Sequence, residues 1–176
     1  RRYLTFAEFK SELAPHFGLG LEGYATWTSP IRKYSDMVNH RLIKAVLTQQ
    51  ACEKPQDEVL ARLQEARRQN RLVDRDIADW LYCRYLADKV AENAEFDAEV
   101  QDVMRGGLRV QLLENGASMF VPASTLHPNK DEMQVNADEL ALYIQGERRY
   151  KIGDLVKVKL TEVREETRSI IGQLII

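Results

Sequence analysis

Two hydrophobic periodicities divide this chain into two parts. Apolar residues recur every three or four positions over residues 34–46. A second stretch with the same spacing starts at residue 59 and predicts a helix that runs to about Ala91, with a break near Asn70 left open. From residue 96 onward, apolar and polar residues instead alternate in short runs. Helical spacing predicts amphipathic helices, whereas alternation predicts strands that bury one face. We therefore predict a mostly helical first domain over residues 1–92 and an all-β second domain over residues 93–176.

Five short strands are predicted in the second domain. The alternating runs cover residues 96–100, 108–112, 119–121, 156–160 and 170–174, and Gly-containing or acidic turns separate them. Five such strands with tight turns are typical of a small barrel of the OB type. The predicted fold class is therefore α+β, with a mostly helical segment followed by a five-stranded OB-type β-barrel.

Composition is that of an ordinary soluble protein. Of the 176 residues, 44% are hydrophobic and 30% are charged, and the net charge of −2 gives no global signal for nucleic-acid binding. The second domain carries 10 basic and 14 acidic side chains, a net charge of −4, so any basic surface on it must be local. No apolar run approaches the roughly 20 residues of a membrane span. The start at Arg1 shows neither an initiator Met nor a signal-peptide pattern, so we expect a cytoplasmic chain cut from a longer protein.

The start of the first predicted helix combines several groups that bind phosphate. The run Thr28-Ser29-Pro30-Ile31-Arg32 is typical of a hydroxyl N-cap, a proline at the first helical position and an arginine in the first turn. A cation there costs an isolated helix roughly 0.3 to 1 kcal/mol, so an anion is expected nearby. Backbone N–H groups, two hydroxyls and a guanidinium would bind a phosphate. Alternatively, Arg32 pairs with Asp36 one turn later, and the local sequence leaves both interpretations open.

The alternation in the second domain also predicts which side chains point outward from the barrel. Arg109, Phe120, Lys157 and Lys159 each lie between two apolar residues of a strand and therefore face outward. An aromatic ring beside cations fits a stacking platform for RNA bases, worth roughly 1 to 3 kcal/mol per base. In the alternative interpretation, Phe120 packs under the connection of residues 123–150 and the lysines only keep the strand soluble.

Three segments together resemble the ribonuclease II family of exoribonucleases. The run of residues 24–42, with Thr28-Ser29-Pro30-Ile31-Arg32 and His40-Arg41, is similar to the family signature. Residues 73–82, VDRDIADWLY, resemble the helix that follows this signature, and the barrel resembles the family's C-terminal RNA-binding domain, named after ribosomal protein S-one. The three segments occur in the family's order and cover essentially the whole chain.

This resemblance implies a processive 3′-to-5′ exoribonuclease that hydrolyses single-stranded RNA to 5′-mononucleotides, as in mRNA decay. It also implies Mg²⁺, bound by aspartates that lie upstream of the signature and have no counterpart in this chain. Asp74 and Asp76 would point to different sides of a helix, so we do not expect them to bind a metal with Asp79. Isolated Cys residues likewise predict no metal site or disulfide. We therefore expect the 176 residues alone to bind single-stranded RNA, as a monomer, without hydrolysing it.

The resemblance also implies roles for individual residues. Arg32 matches the arginine that contacts the phosphate near the scissile bond and supports catalysis. Asp74 falls where the family has a glutamate that helps hold the 3′-terminal nucleotide, and a surface salt bridge with Arg71 or Arg75 is the alternative. Thr26 stands where many relatives have His, which argues against a catalytic role there. The residues expected to contact RNA are Thr28, Ser29, Arg32, Asp74, Arg109, Phe120, Lys157 and Lys159.

Two other classes of function remain compatible with the residues. A non-catalytic protein that binds single-stranded RNA could use the same barrel, presented by a helical segment. The barrel could also serve as a module for protein interaction, in which case Phe120→Ala and Lys157→Ala would leave RNA binding unchanged.

Overall fold

A computed structural model describes residues 7–175 of the chain. The chain forms two compact units, Arg1–Val73 and Asp74–Ile176. The division falls within a long helix, so the second unit includes residues 74–92, which the sequence pattern predicts as part of the first domain. The domain boundary after residue 92 stays a prediction, and the first barrel strand begins at Glu95.

Both predicted helices are present, and the second ends at Leu86 rather than near Ala91. Helix α1 spans Tyr34–Leu47, and helix α2 spans Asp57–Leu86 without a break. The first turn of α2 carries Asp57 and Glu58, which the positive end of the helix dipole favours. Within residues 7–175, no helix has the length and apolar character needed to cross a bilayer.

Helix α1 begins at Tyr34, later than the sequence predicts. Its N-cap is Lys33, which has an extended backbone and makes no capping hydrogen bond with its side chain. The expectation of a Thr28 or Ser29 cap followed by Pro30 as the first helical residue is therefore wrong. A tight turn closed on the carbonyl oxygen of Ser29 precedes the helix and occupies the backbone groups that a cap would use.

The described part of the second unit, residues 74–175, contains the end of α2, eight strands and one short helix, α3, at Ala123–Leu126. The strands are β1 (Glu95–Met104), β2 (Gly107–Leu112), β3 (Ser118–Pro122), β4 (Met133–Asn136), β5 (Ala141–Ile144), β6 (Glu147–Lys151), β7 (Leu155–Arg164) and β8 (Ser169–Leu174). Five of them close a barrel in the order β1-β2-β3-β8-β7, and the other three form a sheet in the order β4-β5-β6. Only the β3/β8 pair of the described barrel is parallel. The α+β fold with a five-stranded barrel is as predicted.

Strict alternation on β2 and β3 sends every second side chain of these strands into the barrel interior. Arg109 is exposed between two fully buried neighbours on β2, and Phe120 is partly exposed between two fully buried neighbours on β3. Burial of one strand face in this way removes apolar area from water at about 25 cal/mol per Å². The completely enclosed side chains of these two strands are Leu108, Val110, Leu112, Met119 and Val121.

The three-stranded sheet was not expected from the sequence pattern. It occupies much of the connection between β3 and β7, in strands of four or five residues. In β5, Ala141, Leu142 and Ile144 are all buried, and the latter two join the hydrophobic core of the barrel. Neighbouring residues that are both buried give no alternating signal, which explains why this sheet escaped prediction.

Gly107 provides a test of how closely β2 and β3 approach. Its φ is +141°, and a Cβ here would overlap the carbonyl oxygen of Val121 and lie 2.8 Å from the amide nitrogen of Ala123. Because both are backbone atoms, Gly107→Ala should lower the free energy of unfolding by more than about 3 kcal/mol. Gly146→Ala is the matched control, since Gly146 also has positive φ but a Cβ added to it would have no neighbouring atom within 4 Å. It should cost only about 1 to 2 kcal/mol. Urea denaturation followed by circular dichroism measures both, and equal losses would contradict the steric argument.

Candidate nucleic-acid interface

The first unit places one buried carboxylate in the first turn of α1. Asp36 has an exposed fraction of 0%, and it is the only residue of 7–73 that is fully buried. Its Oδ1 accepts hydrogen bonds from the hydroxyls of Thr26 (2.6 Å) and Ser35 (3.2 Å), and its Oδ2 accepts one from the backbone N–H of Ser29 (2.9 Å). The Nζ of Lys33 lies 3.9 Å from Oδ2. These groups replace the hydration that burial removes.

The same contacts set the ionisation of Asp36. The hydrogen bond from Thr26 is the largest influence and lowers the pKa of the carboxyl below its usual value. Burial acts in the opposite direction, and the Ser29 N–H, the Ser35 hydroxyl and the charge of Lys33 lower the pKa further. Asp36 is therefore a charged acceptor at neutral pH.

One face of α1 fixes the loop that precedes it. Asn39 donates from Nδ2 to the carbonyl oxygen of Thr26 (2.7 Å). The Nε2 of His40 donates to the carbonyl oxygen of Trp27 (2.7 Å), and the two rings lie 5.4 Å apart. Positions 36, 39 and 40 project from the same side of a helix. The backbone of residues 26–29 is thus held at three points.

This loop and the following turn present Arg32 to solvent. The backbone N–H groups of Arg32 and Lys33 both donate to the carbonyl oxygen of Ser29 (3.3 and 2.9 Å), so they are already used within the turn. The Arg32 side chain is exposed and forms no ion pair within residues 7–175. The alternative pairing of Arg32 with Asp36 is not seen within residues 7–175, where Lys33 is the cation paired with that carboxylate. What remains available for an anion is the exposed guanidinium of Arg32, and Thr28 of the same loop is also exposed.

In the second unit, Arg109 and Phe120 line one groove. They face each other in the register of β2 and β3. The β7–β8 turn and the start of β8 form another wall, and Arg75, Asp76 and Asp79 of α2 also line the groove. No residue of 123–150 lines it, so the groove gives no support to Phe120 packing under that connection. The groove encloses about 780 Å³, within the range of ligand-binding clefts.

The remaining predicted RNA-contacting residues lie elsewhere. Lys157 and Lys159 of β7 stand opposite Asp97 and Glu95 of β1, and the Nζ of Lys157 is 3.9 Å from Oδ1 of Asp97. Neither lysine lines the groove of Arg109 and Phe120. The structure therefore does not gather the four outward-facing barrel residues into one platform. Asp74 is exposed on α2, and its carboxylate forms no ion pair within residues 7–175.

A metal site is not formed by the part of the chain that the structure describes. Residues 7–175 contain no cluster of three or more His, Cys, Asp or Glu side chains that could hold a metal ion. The acidic residues of α2 are instead distributed between solvent and the groove. Oδ2 of Asp76, for example, forms an ion pair with Nη1 of Arg168 at a distance of 2.8 Å.

Sequence reasoning missed two features of these sites. From the sequence, Asp36 is named only as a possible ion-pair partner of Arg32. The polar residues at positions 36, 39 and 40, on one side of a predicted helix, were a signal for buried hydrogen bonds. Arg168 gave no signal, because its contact with Asp76 joins residues far apart in the sequence.

Comparisons with known proteins match both parts of the chain. Residues 1–49 match the RNB domain, and residues 89–174 match the S1 RNA binding domain. The chain is 86% identical over 175 residues to "Exoribonuclease 2" of Haemophilus influenzae, an alignment that covers 99% of this chain and 27% of the relative. It is 75% identical to the protein of the same name in Pasteurella multocida, covering 99% of this chain and 26% of that protein. The chain thus spans about a quarter of the length of these relatives.

Solved structures show the same fold. RNase R of Mycoplasma genitalium, in complex with ribose methylated single-stranded RNA, superposes with a TM-score of 0.82 at 23% identity. That alignment covers 99% of this chain and 28% of the Mycoplasma protein. The apo form of the same enzyme gives a TM-score of 0.80 at 22% identity.

The Asp36 contacts lead to a prediction for acid conditions. Because the folded-state pKa is lowered from about 3.8, the stabilisation from Asp36 is complete above that pH and is lost as the pH falls through the lower, folded-state value. Asp36→Asn should release the loop at neutral pH and remove this acid-dependent step. The amide NMR signal of Ser29 reports both effects, since that N–H donates to Asp36.

Asp57→Asn is the matched control, because it removes an equal charge from the exposed first turn of α2. The Ser29 amide signal should be unchanged in this variant. A Ser29 signal that is the same in Asp36→Asn and in the unmodified chain would contradict the assigned role of Asp36.

Proposed function

Because the chain belongs to the ribonuclease II family, as its C-terminal part, we propose that the whole protein hydrolyses single-stranded RNA from the 3′ end towards the 5′ end. The product would be 5′-mononucleotides, released processively during mRNA decay in the cytoplasm. The observation that carries this proposal is the 86% identity, over 99% of the chain, to a protein named Exoribonuclease 2. The order of the RNB and S1 matches supports it. In this proposal, residues 1–92 complete the catalytic domain and residues 93–176 bind RNA.

The exposed apolar residues of α1 support a function within a longer protein. Val46 and Leu47 are 78% and 77% exposed, and Ile43 is 39% exposed. The only fully buried residue of α1 is Asp36. An amphipathic helix gains stability by burying its apolar face, so the remaining part of the catalytic domain would cover these side chains. The proposed whole protein acts as a monomer.

Arg32 is the proposed catalytic residue of this chain. Its guanidinium is exposed at a turn that the Asp36 hydrogen bonds hold in place. A planar fork of N–H donors suits the oxygens of a phosphodiester and can follow the growing negative charge in the transition state. The hydroxyls of Thr28 and Ser29 would contact the neighbouring phosphate. We propose this role for Arg32 in stabilising charge, and no role in proton transfer.

Asp74 is proposed to bind the ribose at the 3′ end of the RNA. Its carboxylate is exposed, and a carboxylate accepts hydrogen bonds from ribose hydroxyls. The barrel would hold the RNA further upstream, with a base stacked on Phe120 and phosphates near Arg109. Lys157 and Lys159 would contact phosphates on a separate part of the barrel wall.

Mg²⁺ would support hydrolysis by activating water and stabilising the leaving oxygen. Residues 7–175 do not provide a ligand set that fits this ion. We propose that aspartates of the whole protein, outside this chain, hold the metal. The 176 residues alone should therefore bind RNA and leave it intact in the presence of Mg²⁺.

A chimera tests the role of Arg32. The segment of Haemophilus influenzae Exoribonuclease 2 that matches this chain would be replaced by the 176 residues, which the 86% identity makes structurally compatible. We expect the chimera to degrade single-stranded RNA, and Arg32→Ala to slow single-turnover hydrolysis by about 10² to 10³ with a smaller loss of RNA affinity.

Arg62→Ala is the charge-matched control, since Arg62 is exposed on α2 outside the proposed site. It should leave the rate unchanged. If Arg32→Ala weakened binding but kept the rate at saturating RNA, Arg32 would be an anchoring residue. An inactive chimera beside an active natural enzyme would favour a non-catalytic RNA-binding protein.

A second variant tests the barrel as an RNA-binding surface. Phe120→Ala in the 176-residue chain should weaken binding of a labelled single-stranded oligouridylate by about 5- to 150-fold, equal to roughly 1 to 3 kcal/mol per stacked base. Phe17→Ala is the control, because Phe17 is 83% exposed and lies outside the barrel. Fluorescence anisotropy measures both, and equal affinities of Phe120→Ala and the unmodified chain would remove Phe120 from the RNA path.

A further inference from the structure

One cation of the barrel groove is held by a carboxylate of α2. The Nη1 of Arg168 lies 2.8 Å from Oδ2 of Asp76, and both residues line the groove that contains Arg109 and Phe120. The two side chains are 43% and 49% exposed, so solvent and ligands can reach the pair. Arg168 thus adds a guanidinium near the predicted stacking residue without presenting it freely.

The backbone supports a specific placement for Arg168. It is the last residue before β8, with a φ of +52°, a left-handed conformation that is unfavourable for a long side chain. Its N–H donates to the carbonyl oxygen of Glu165 across the turn (3.3 Å). The tight turn therefore fixes the origin of this side chain at the rim of the groove.

The groove itself has balanced charges. Arg75, Arg109 and Arg168 line it together with three acidic side chains, Asp76, Asp79 and Glu166. Arg168 is the groove arginine that forms an ion pair within residues 7–175, so it can contact a phosphate of a polyanion only by exchanging its carboxylate partner. A half-exposed ion pair contributes little net stability, so this exchange is accessible for Arg168. The bidentate geometry of a guanidinium suits carboxylate and phosphate equally well.

We propose that Arg168 contacts a backbone phosphate of single-stranded RNA and that Asp76 holds its guanidinium until RNA displaces the carboxylate. Asp76 then competes with the RNA and lowers its affinity, while keeping Arg168 close to the position it occupies in the complex. This inference rests on the proposed RNA-binding function of the barrel. In this inference, Arg168 raises the affinity for RNA and Asp76 lowers it.

Salt dependence distinguishes a phosphate contact from a general effect of charge. For the 176-residue chain and a labelled single-stranded oligouridylate, Arg168→Gln should weaken binding and reduce the slope of log K against log salt concentration by about 0.7, the value for one contact with a single strand. Arg168→Lys should retain most of the slope, because it keeps the charge. Asp76→Asn should tighten binding severalfold.

A double-mutant cycle isolates the pair. If Asp76 acts through Arg168, Asp76→Asn should have almost no effect in the Arg168→Gln background. Arg164→Gln is the matched control, since Arg164 belongs to the same hairpin and pairs with Glu162 at 2.7 Å but does not line the groove. It should leave the affinity and the salt slope unchanged.

Two results would overturn the proposal. If the slope of log K against log salt concentration is unchanged in Arg168→Gln, Arg168 does not contact a phosphate. If Asp76→Asn raises the RNA affinity equally with and without Arg168, Asp76 does not compete with RNA for Arg168. Circular dichroism of each variant establishes that it folds. If Arg168→Gln does not fold, the double-mutant cycle is repeated with Arg168→Lys in its place, again combined with Asp76→Asn. If Phe120→Ala weakens binding while the Arg168 and Asp76 variants do not, only this inference fails. If none of them changes binding, the proposed RNA-binding role of the groove fails as well.

Discussion

Removing a carboxylate from water is unfavourable unless hydrogen bonds and charges replace the lost hydration. In residues 7–73, the only fully buried side chain is such a carboxylate, that of Asp36. The loop before α1 folds around it because Thr26 and Ser29 supply two of its donors. A loop without a fully buried residue of its own is thus ordered by a charged acceptor. The position of Arg32 follows from this arrangement, because its turn closes on the carbonyl oxygen of the same Ser29.

The second unit is stabilised in a different way. Its barrel encloses apolar side chains from all five strands, and the groove meets this core only at Ile170. Arg109 and Phe120 can therefore face a ligand while their neighbours on the same strands pack inward. Since the core does not include these outward positions, substitutions there should alter binding more than folding. Because side chains alternate along each strand, the outward ones can bind a ligand while the inward ones form the core that stabilises the barrel.

Sequence patterns predicted those features that depend on local repetition. The five barrel strands and both long helices have a period that single-sided burial imposes, so their positions could be predicted. The sheet of β4, β5 and β6 could not, because successive residues of β5 are buried together. The start of α1 was misplaced because a hydroxyl followed by Pro30 usually begins a helix, whereas here Asp36 binds the backbone of Ser29. Family resemblance identified Arg32, but only the structure revealed what holds its turn in place.

The acidic character of the second domain is compatible with RNA binding once its charges are considered in pairs. Lys157 lies near Asp97, and Arg168 is bound by Asp76, so both cations are neutralised locally in the free chain. A net charge of −4 then describes the long-range field, which slows the approach of a polyanion, and says little about the contacts made after arrival. Affinity at such a surface depends on how readily each carboxylate gives up its partner to a phosphate. Exposed pairs exchange at little cost, so an acidic barrel can hold RNA through cations such as Arg168, which Asp76 of α2 keeps in position.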